Sequence, residues 1–434
     1  MTEPTRRRNR QGDASRRRIL EAALGIAAES GYRAATIARI TEETGLPASS
    51  IFWHFKNKQV LLAEALEHSY QGRRAEVPEW VRTGSPETLE ARLVENLTFG
   101  ARIPRQSDYW RLGLTVALEG PDVDPQLSGR FVEIRGSSRG RMVDWWGREL
   151  GVELPTSESA YLGDLTLAFL DGRFLNQALS GAFPRRMTRM FAHGVARAAR
   201  EGVAPAPGAP VPSLPVPAGP ARSRPARTGA ADPPSSRETL LRAAEKVMAA
   251  RGFEGATIAK ICKEAGLPAS SLYWQFKDKD DLLAEVMKAG GESWLAASEK
   301  RPHQLGLNWA DALQERLGWM LADIEENPAP LRIGHLLALQ HSGGGEAGRR
   351  AFKEIRAERS RRVARWFVEA GNLGLDARQA RQVADLLQVL ADGLFISVQL
   401  EDRNRPLGSH AAAMAAIARG AVEYLLVEKA ALAS

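Results

Sequence analysis

Residues 36–58 read Thr36-Ile37-Ala38-Arg39-Ile40-Thr41-Glu42-Glu43-Thr44-Gly45-Leu46-Pro47-Ala48-Ser49-Ser50-Ile51-Phe52-Trp53-His54-Phe55-Lys56-Asn57-Lys58. A threonine ahead of Ile37 can cap a short helix by accepting an amide hydrogen. Gly45 ends that helix, because a sharp turn needs a residue that tolerates positive φ. Pro47 suits the first turn of a second helix, from about Ala48 to Phe55. Ile51 and Phe55 lie four apart and can bury one face against the first helix. Ala48, Ser49 and Ser50 then stand on the exposed leading end. Two short helices joined by a glycine turn make a helix-turn-helix, whose second helix can enter the DNA major groove with its leading end toward the bases.

The pattern occurs twice. Shifted by 221 residues, Ser15 to Glu64 aligns with Ser236 to Glu285 without a gap, and 27 of the 50 pairs are identical. Thr257, Gly266, Pro268, Leu272 and Phe276 repeat the motif, with Ala269, Ser270 and Ser271 at the second leading end. The spacing persists downstream. Phe131, Glu133, Ile134 and Arg135 face Phe352, Glu354, Ile355 and Arg356; Asp171-Gly172 and Phe174 face Asp392-Gly393 and Phe395. A whole unit of about 200 residues is therefore duplicated, which differs from a short solenoid repeat.

Outside the motifs the periodicity is helical. Ile19, Leu20, Ala23, Ile26 and Ala27 precede Gly31, as Leu240, Leu241, Ala244, Val247 and Met248 precede Gly252. Alternating strand-like runs are absent, so the expected fold class is all-α, in two tandem units. Each unit has an amino-terminal three-helix DNA-binding domain and a carboxy-terminal helical regulatory or dimerisation domain. The expected boundaries are a basic disordered arm at 1–14, a first helix-turn-helix domain at 15–64 and its helical domain at 65–202. A linker at 203–235 follows, then a second helix-turn-helix domain at 236–285 and its helical domain at 286–434. Eight prolines from Pro205 to Pro225 make the linker semi-rigid and non-helical.

The net charge of +7 is localised. Residues 1–18 hold seven arginines against Glu3 and Asp13, and the linker holds Arg222, Arg224 and Arg227 against Asp232. The rest is near neutral. Basic segments of this kind track polyanions, chiefly nucleic acid, or are simply solvated. No uninterrupted apolar run approaches the roughly 20 residues of a membrane helix, the arginine-rich start lacks the apolar core of a secretory signal, and Cys262 is a lone cysteine. These features predict a cytoplasmic protein without a membrane partner or internal disulfide.

The order of a long first helix, Gly-Tyr/Phe, a capping threonine, Gly-Leu-Pro-x-Ser, aromatic-Trp-x-Phe-Lys-x-Lys and Leu-Leu resembles the DNA-binding domain of the TetR family, over about 50 residues in each half. The carboxy-terminal regions resemble it loosely, through Asp-Gly-x-Phe pairs placed like the family's late dimer-forming helix. The resemblance implies that Ser49, Ser50, Ser270 and Ser271 approach bases. It implies that Thr36, Trp53, His54 and Lys58, with Thr257, Tyr273, Trp274 and Lys279, approach phosphates. Phe52 replaces the family's usual tyrosine, and two units in one chain depart from the single-unit homodimer. The heads differ at Arg39 against Lys260 and His54 against Gln275, so their base preferences can diverge.

A DNA-binding role thus implicates Thr36, Arg39, Ala48, Ser49, Ser50, Trp53, His54 and Lys58, and in the second half Thr257, Lys260, Ala269, Ser270, Ser271, Tyr273, Trp274, Gln275 and Lys279. The expected partners are double-stranded DNA at a two-part operator, a small-molecule effector, and pairing of the two carboxy-terminal halves within one chain. Trp110, Leu114, Phe169, Trp319, His335 and Phe395 are candidates for an effector pocket, or simply core. Leu114 faces His335 and Gly120 faces His341 across the repeat, so the two pockets can be unequal. The histidines show no metal-ligand spacing, and no nucleophile–base order or phosphate loop points to catalysis. No metal, cofactor or enzyme activity is expected. Two readings remain: a ligand-responsive regulator, usually a repressor by resemblance, and a non-inducible or architectural DNA binder.

Overall fold

A computed structural model of the chain describes residues 3–76, 80, 88–99, 108–119, 124–152, 154, 156–203, 235–299, 308–340, 344–369, 373–400 and 406–433. Among these residues the chain is helical and contains no strand. The first half runs α1 (Glu3–Ser30), α2 (Ile37–Thr44), α3 (Ala48–His54), α4 (Lys58–Glu76), α5 (Leu89–Phe99), α6 (Asp108–Glu119), α7 (Pro125–Glu149), α8 (Ser157–Ser180) and α9 (Arg185–Glu201). The second half repeats the order as α10 (Ser236–Gly255), α11 (Ile258–Ala265), α12 (Ala269–Gln275), α13 (Lys279–Glu299), α14 (Trp309–Glu326), α15 (Ala329–Leu339), α16 (Glu346–Glu369), α17 (Ala377–Leu400) and α18 (Ala411–Ala433).

Local chemistry explains the boundaries. Asp124 caps α7 by accepting the amides of Gln126 and Leu127, and Ser235 with Glu238 forms a capping box at α10. The expected disordered arm at 1–14 is instead helical from Glu3 onward, continuous with α1. Arginine has high helix propensity, and Pro4 falls in the first turn, where its missing N–H costs nothing. The side chains of 3–11 and the linker residues 204–234 lie outside the described residues, as do Gly120 and His341.

The core is continuous through both halves. α8 packs on α17 and α9 on α18, and glycines permit the close approach. A Cβ on Gly172 would sit 1.8 Å from the Val389 carbonyl oxygen, and one on Gly393 would sit 1.7 Å from that of Ala168. Below this crossing lie repeated buried ion pairs. Arg135 Nη2 donates to Asp171 at 2.9 Å, and Arg356 Nη1 to Asp392 at 2.5 Å. The second ligand of each carboxylate differs: Trp110 Nε1 donates to Asp171 at 2.8 Å, whereas His335 Nε2 lies 3.1 Å from Asp392. Helices 377–400 and 407–431 are apolar and long enough to cross a membrane by length and composition, although charged residues interrupt every apolar run in them. Here both are packed against α8 and α9, and two thirds of each apolar window is buried.

Candidate nucleic-acid interface

Each head is assembled the same way. Thr36 Oγ1 accepts the Arg39 amide at 3.3 Å and Thr257 Oγ1 that of Lys260 at 3.4 Å. Gly45 and Gly266 adopt left-handed φ of 64° and 66° at the turn. Pro47 and Pro268 occupy the capping position itself, one residue earlier than expected, with extended backbone that directs the chain into α3 and α12. Ile51 and Phe55, and likewise Leu272 and Phe276, are buried and anchor the second helix of each motif. An arginine of the long first helix finishes the scaffold. Arg16 pairs with Glu64 and lies over Phe55; Arg237 pairs with Glu285 and lies over Phe276.

With the apolar face spent, the other face is open. Ala48, Ser49, Ala269 and Ser270 are exposed, and Ser50 and Ser271 are half-buried. Thr36, Arg39, Thr257, Lys260 and Gln275 are also exposed. Trp53 and Trp274 are 78% and 88% exposed, beside exposed Phe52 and Tyr273. Large aromatics rarely stand so free unless they meet a partner. His54 packs edge-on to Trp53 at 4.6 Å, and burial together with the nearby Arg16 charge lowers its pKa, favouring the neutral ring.

Two lysines expected to face phosphate turn inward. Lys58 Nζ lies 4.2 Å from the centre of the Tyr32 ring and donates to the Arg33 carbonyl. Lys279 Nζ lies 3.9 Å from the centre of the Phe253 ring and donates to the Phe253 carbonyl at 2.9 Å. Burial lowers both ammonium pKa values. A cation over an aromatic face with a backbone acceptor is a local fastening. It sets the turn between the first helix and the motif. Lys56 and Lys277, two residues earlier and quoted above only as part of the flank, are the exposed cations at this edge.

The heads join the body through unequal contacts. Tyr32 Oη donates to Asp124 at 2.8 Å; the equivalent Phe253 has no hydroxyl. Gln340 Nε2 donates to Glu119 Oε1 at 3.1 Å, and a Cβ on Gly31 or on Gly252 would meet one or both of these two side chains. Positions 119 and 340 are themselves 221 apart. Nothing in their local sequence indicated that they meet.

The effector candidates separate. Trp319 lines a recess among α13, α14 and α16. Leu114, Phe169, His335 and Phe395 are fully enclosed in the packed core and Trp110 is committed to Asp171. Phe169 stacks on Phe191 at 3.9 Å. The sequence missed Arg316 and Arg359 in that recess, because arginines on a helix usually read as solvated.

The sequence profile described as "Bacterial regulatory proteins, tetR family" matches residues 19–65 and again 240–286, the two heads just described. Both heads thus match the tetR-family DNA-binding model, in tandem within one chain. Relatives of the chain include the HTH-type transcriptional regulator BetI of Cronobacter sakazakii, 28% identical over 174 residues, covering 38% of this chain and 80% of BetI. The HTH-type transcriptional repressor AcnR of Corynebacterium diphtheriae is 33% identical over 120 residues, 27% of this chain and 56% of AcnR. Among solved structures, the fatty acid degradation regulator FadR of Bacillus halodurans is 15% identical, with a TM-score of 0.36 over 43% of this chain and 96% of that one. These relatives are transcriptional regulators, and the family binds DNA.

Proposed function

We propose that this chain is a cytoplasmic, non-enzymatic repressor that grips a two-part operator with both heads of a single molecule and releases it when a small molecule binds. The observation that carries the reading is reciprocity. Gly172 lies against the Val389 carbonyl and Gly393 against the Ala168 carbonyl. Both pairs of positions, 172 with 393 and 168 with 389, are separated by the repeat spacing of 221. Contacts in which residue i meets j and the copy of i meets the copy of j are the mark of an isologous dimer interface. Here the two copies belong to one chain, so pairing needs no second molecule.

In this reading Ala48, Ser49, Ser50, Ala269, Ser270 and Ser271 face base edges. Thr36, Arg39, Trp53 and His54, with Thr257, Lys260, Tyr273, Trp274 and Gln275, flank them. Lys56 and Lys277 meet phosphate, while Lys58 and Lys279 hold the turns behind. Gln275 can make two hydrogen bonds to adenine and His54 cannot, a difference worth about 1–3 kcal/mol of discrimination. The operator is therefore two related, unequal half-sites, about one helical turn or a multiple of it apart. Selection of bound sites from random duplex DNA tests the reading. The expected product is a two-part motif bound at one chain per site, which reverses its orientation when residues 36–58 and 257–279 are exchanged. Recovery of a single half-site, or of no motif, would refute it.

A further inference from the structure

We infer that the second unit alone holds the effector site, and that its ligand is an organic carboxylate on an apolar body. The inference rests on the ligand-release reading above and supplies the ligand's chemistry. The recess among α13, α14 and α16 is walled by Trp294, Leu313, Leu317, Trp319, Met320 and other apolar groups. Three guanidinium groups, Arg316, Arg359 and Arg362, share that wall with one carboxylate, Asp323. Arg362 is paired with Glu358. Among the described residues Arg359 forms no contact ion pair: its guanidinium lies 5.6 Å from the centre of the Trp294 ring, Nη2 reaches Met320 Sδ at 3.7 Å, and the Asp392 carboxylate, already bound by Arg356, acts on it only at longer range. Arg316 likewise makes no ion pair among the described residues, and burial lowers its pKa. Desolvated guanidinium without a counter-charge in hydrogen-bond contact is costly, and a planar carboxylate matches its donor fork. The Trp294 indole N–H, on a residue only 9% exposed, is also without an acceptor. These donors and indole walls suit one anionic head and one flat or chain-like apolar body.

The first unit lacks the set. At the spacing of 221, Trp294, Arg316, Trp319 and Arg359 correspond to Arg73, Glu95, Thr98 and Ser138. One ligand per chain follows. Arg359 also borders a smaller void that reaches Ala384, Leu387 and Gln388 on α17. That helix crosses α8 at the paired glycines, so a carboxylate at Arg359 would bear on the junction of the two halves.

Calorimetry on the full chain without DNA tests this, using 1-naphthoate and decanoate against 1-naphthamide and decanamide. The expected result is one carboxylate bound per chain, with the matching amide at least tenfold weaker. Arg359→Gln and Arg316→Gln should each weaken the carboxylate roughly 10- to 100-fold, the range of a lost charged hydrogen bond, while Arg359→Lys restores part of it. Unchanged melting temperatures and unchanged affinity for selected DNA mark the variants as folded. If a variant is not folded, the carboxylate–amide ratio and the stoichiometry of the unmodified chain decide. Binding of neither carboxylate, two sites per chain, or equal binding of acid and amide would overturn the inference. DNA binding is titrated separately, so its absence would refute the regulator reading and leave the ligand result standing.

Discussion

Glu119 sits where the two halves of the chain meet, opposite Gln340. It ends α6 and accepts from Gln340, with Oε2 buried and unpartnered. Burial raises its carboxyl from an ordinary 4.5 to about 7, against the pull of Arg33, Gln340 and Lys58. Between those two pH values the folded chain holds a proton that the unfolded chain has lost. Its contribution is therefore full below pH 4.5 and disappears as pH rises through 7, a change of at most about 3 kcal/mol. Glu119→Gln should remove that slope. In urea titrations at pH 5.5, 6.5 and 7.5, the gap between variant and unmodified chain should widen in the variant's favour as pH rises; a constant gap would contradict the assignment. The lysines make a second contrast. Lys56→Ala with Lys277→Ala should lower the slope of log K against log salt by about 0.9 each. Lys58→Ala with Lys279→Ala should mainly lower the melting temperature, by loss of a ring contact and a carbonyl bond. If the inner pair instead changes the salt slope as much as the outer pair, the inward fastening does not persist on DNA.

Helix crossings give the next test. Gly172→Ala and Gly393→Ala each push a Cβ into a backbone carbonyl that cannot swing aside. Overpacking of this kind costs typically about 1–3 kcal/mol, occasionally more. Gly136, in the middle of α7 with nothing within 4 Å of its would-be Cβ, is the control. Gly136→Ala should stabilise by about 0.5–1 kcal/mol. Chemical denaturation of the three variants checks the order, and equal effects at all three would show that the crossing is loose. The helices themselves were legible in the sequence, because caps, glycine stops and apolar spacing are local. Pro47 and Pro268 were off by one position, since proline's fixed φ serves a cap and a first turn about equally well. Residues 3–14 are helical although their charge suggests disorder, because arginine favours helix.

Across the whole chain, the duplication was legible and its consequences were not. The recognition faces could be listed because Ala-Ser-Ser and its aromatic flank recur at fixed spacing. The direction of Lys58 could not, since a flexible four-carbon stem reaches either water or Tyr32. Arg316, Arg359 and Trp294 lie on separate helices, and only packing makes them neighbours. The same holds for Glu119 and Gln340. Pairing of the two halves predicts that a protease site inserted within 204–234 can be cut without separating them. The fragments should elute together at the mass of one chain and keep the selected two-part DNA motif. Separation into free fragments, or assembly of each fragment with its own kind, would defeat the pairing.

The contact between Glu119 and Gln340 has a hereditary consequence. Two stretches this alike within one gene invite conversion, in which one copy overwrites the other. Overwriting the second body with the first would set a carboxylate against a carboxylate in a buried place, and like charges there oppose ionisation. A donor facing an acceptor at matched positions thus penalises the mutation that would make the halves identical. The sequence difference between the copies is held in place by the shape of the folded chain, and drift in one half is answerable to the other within the same reading frame.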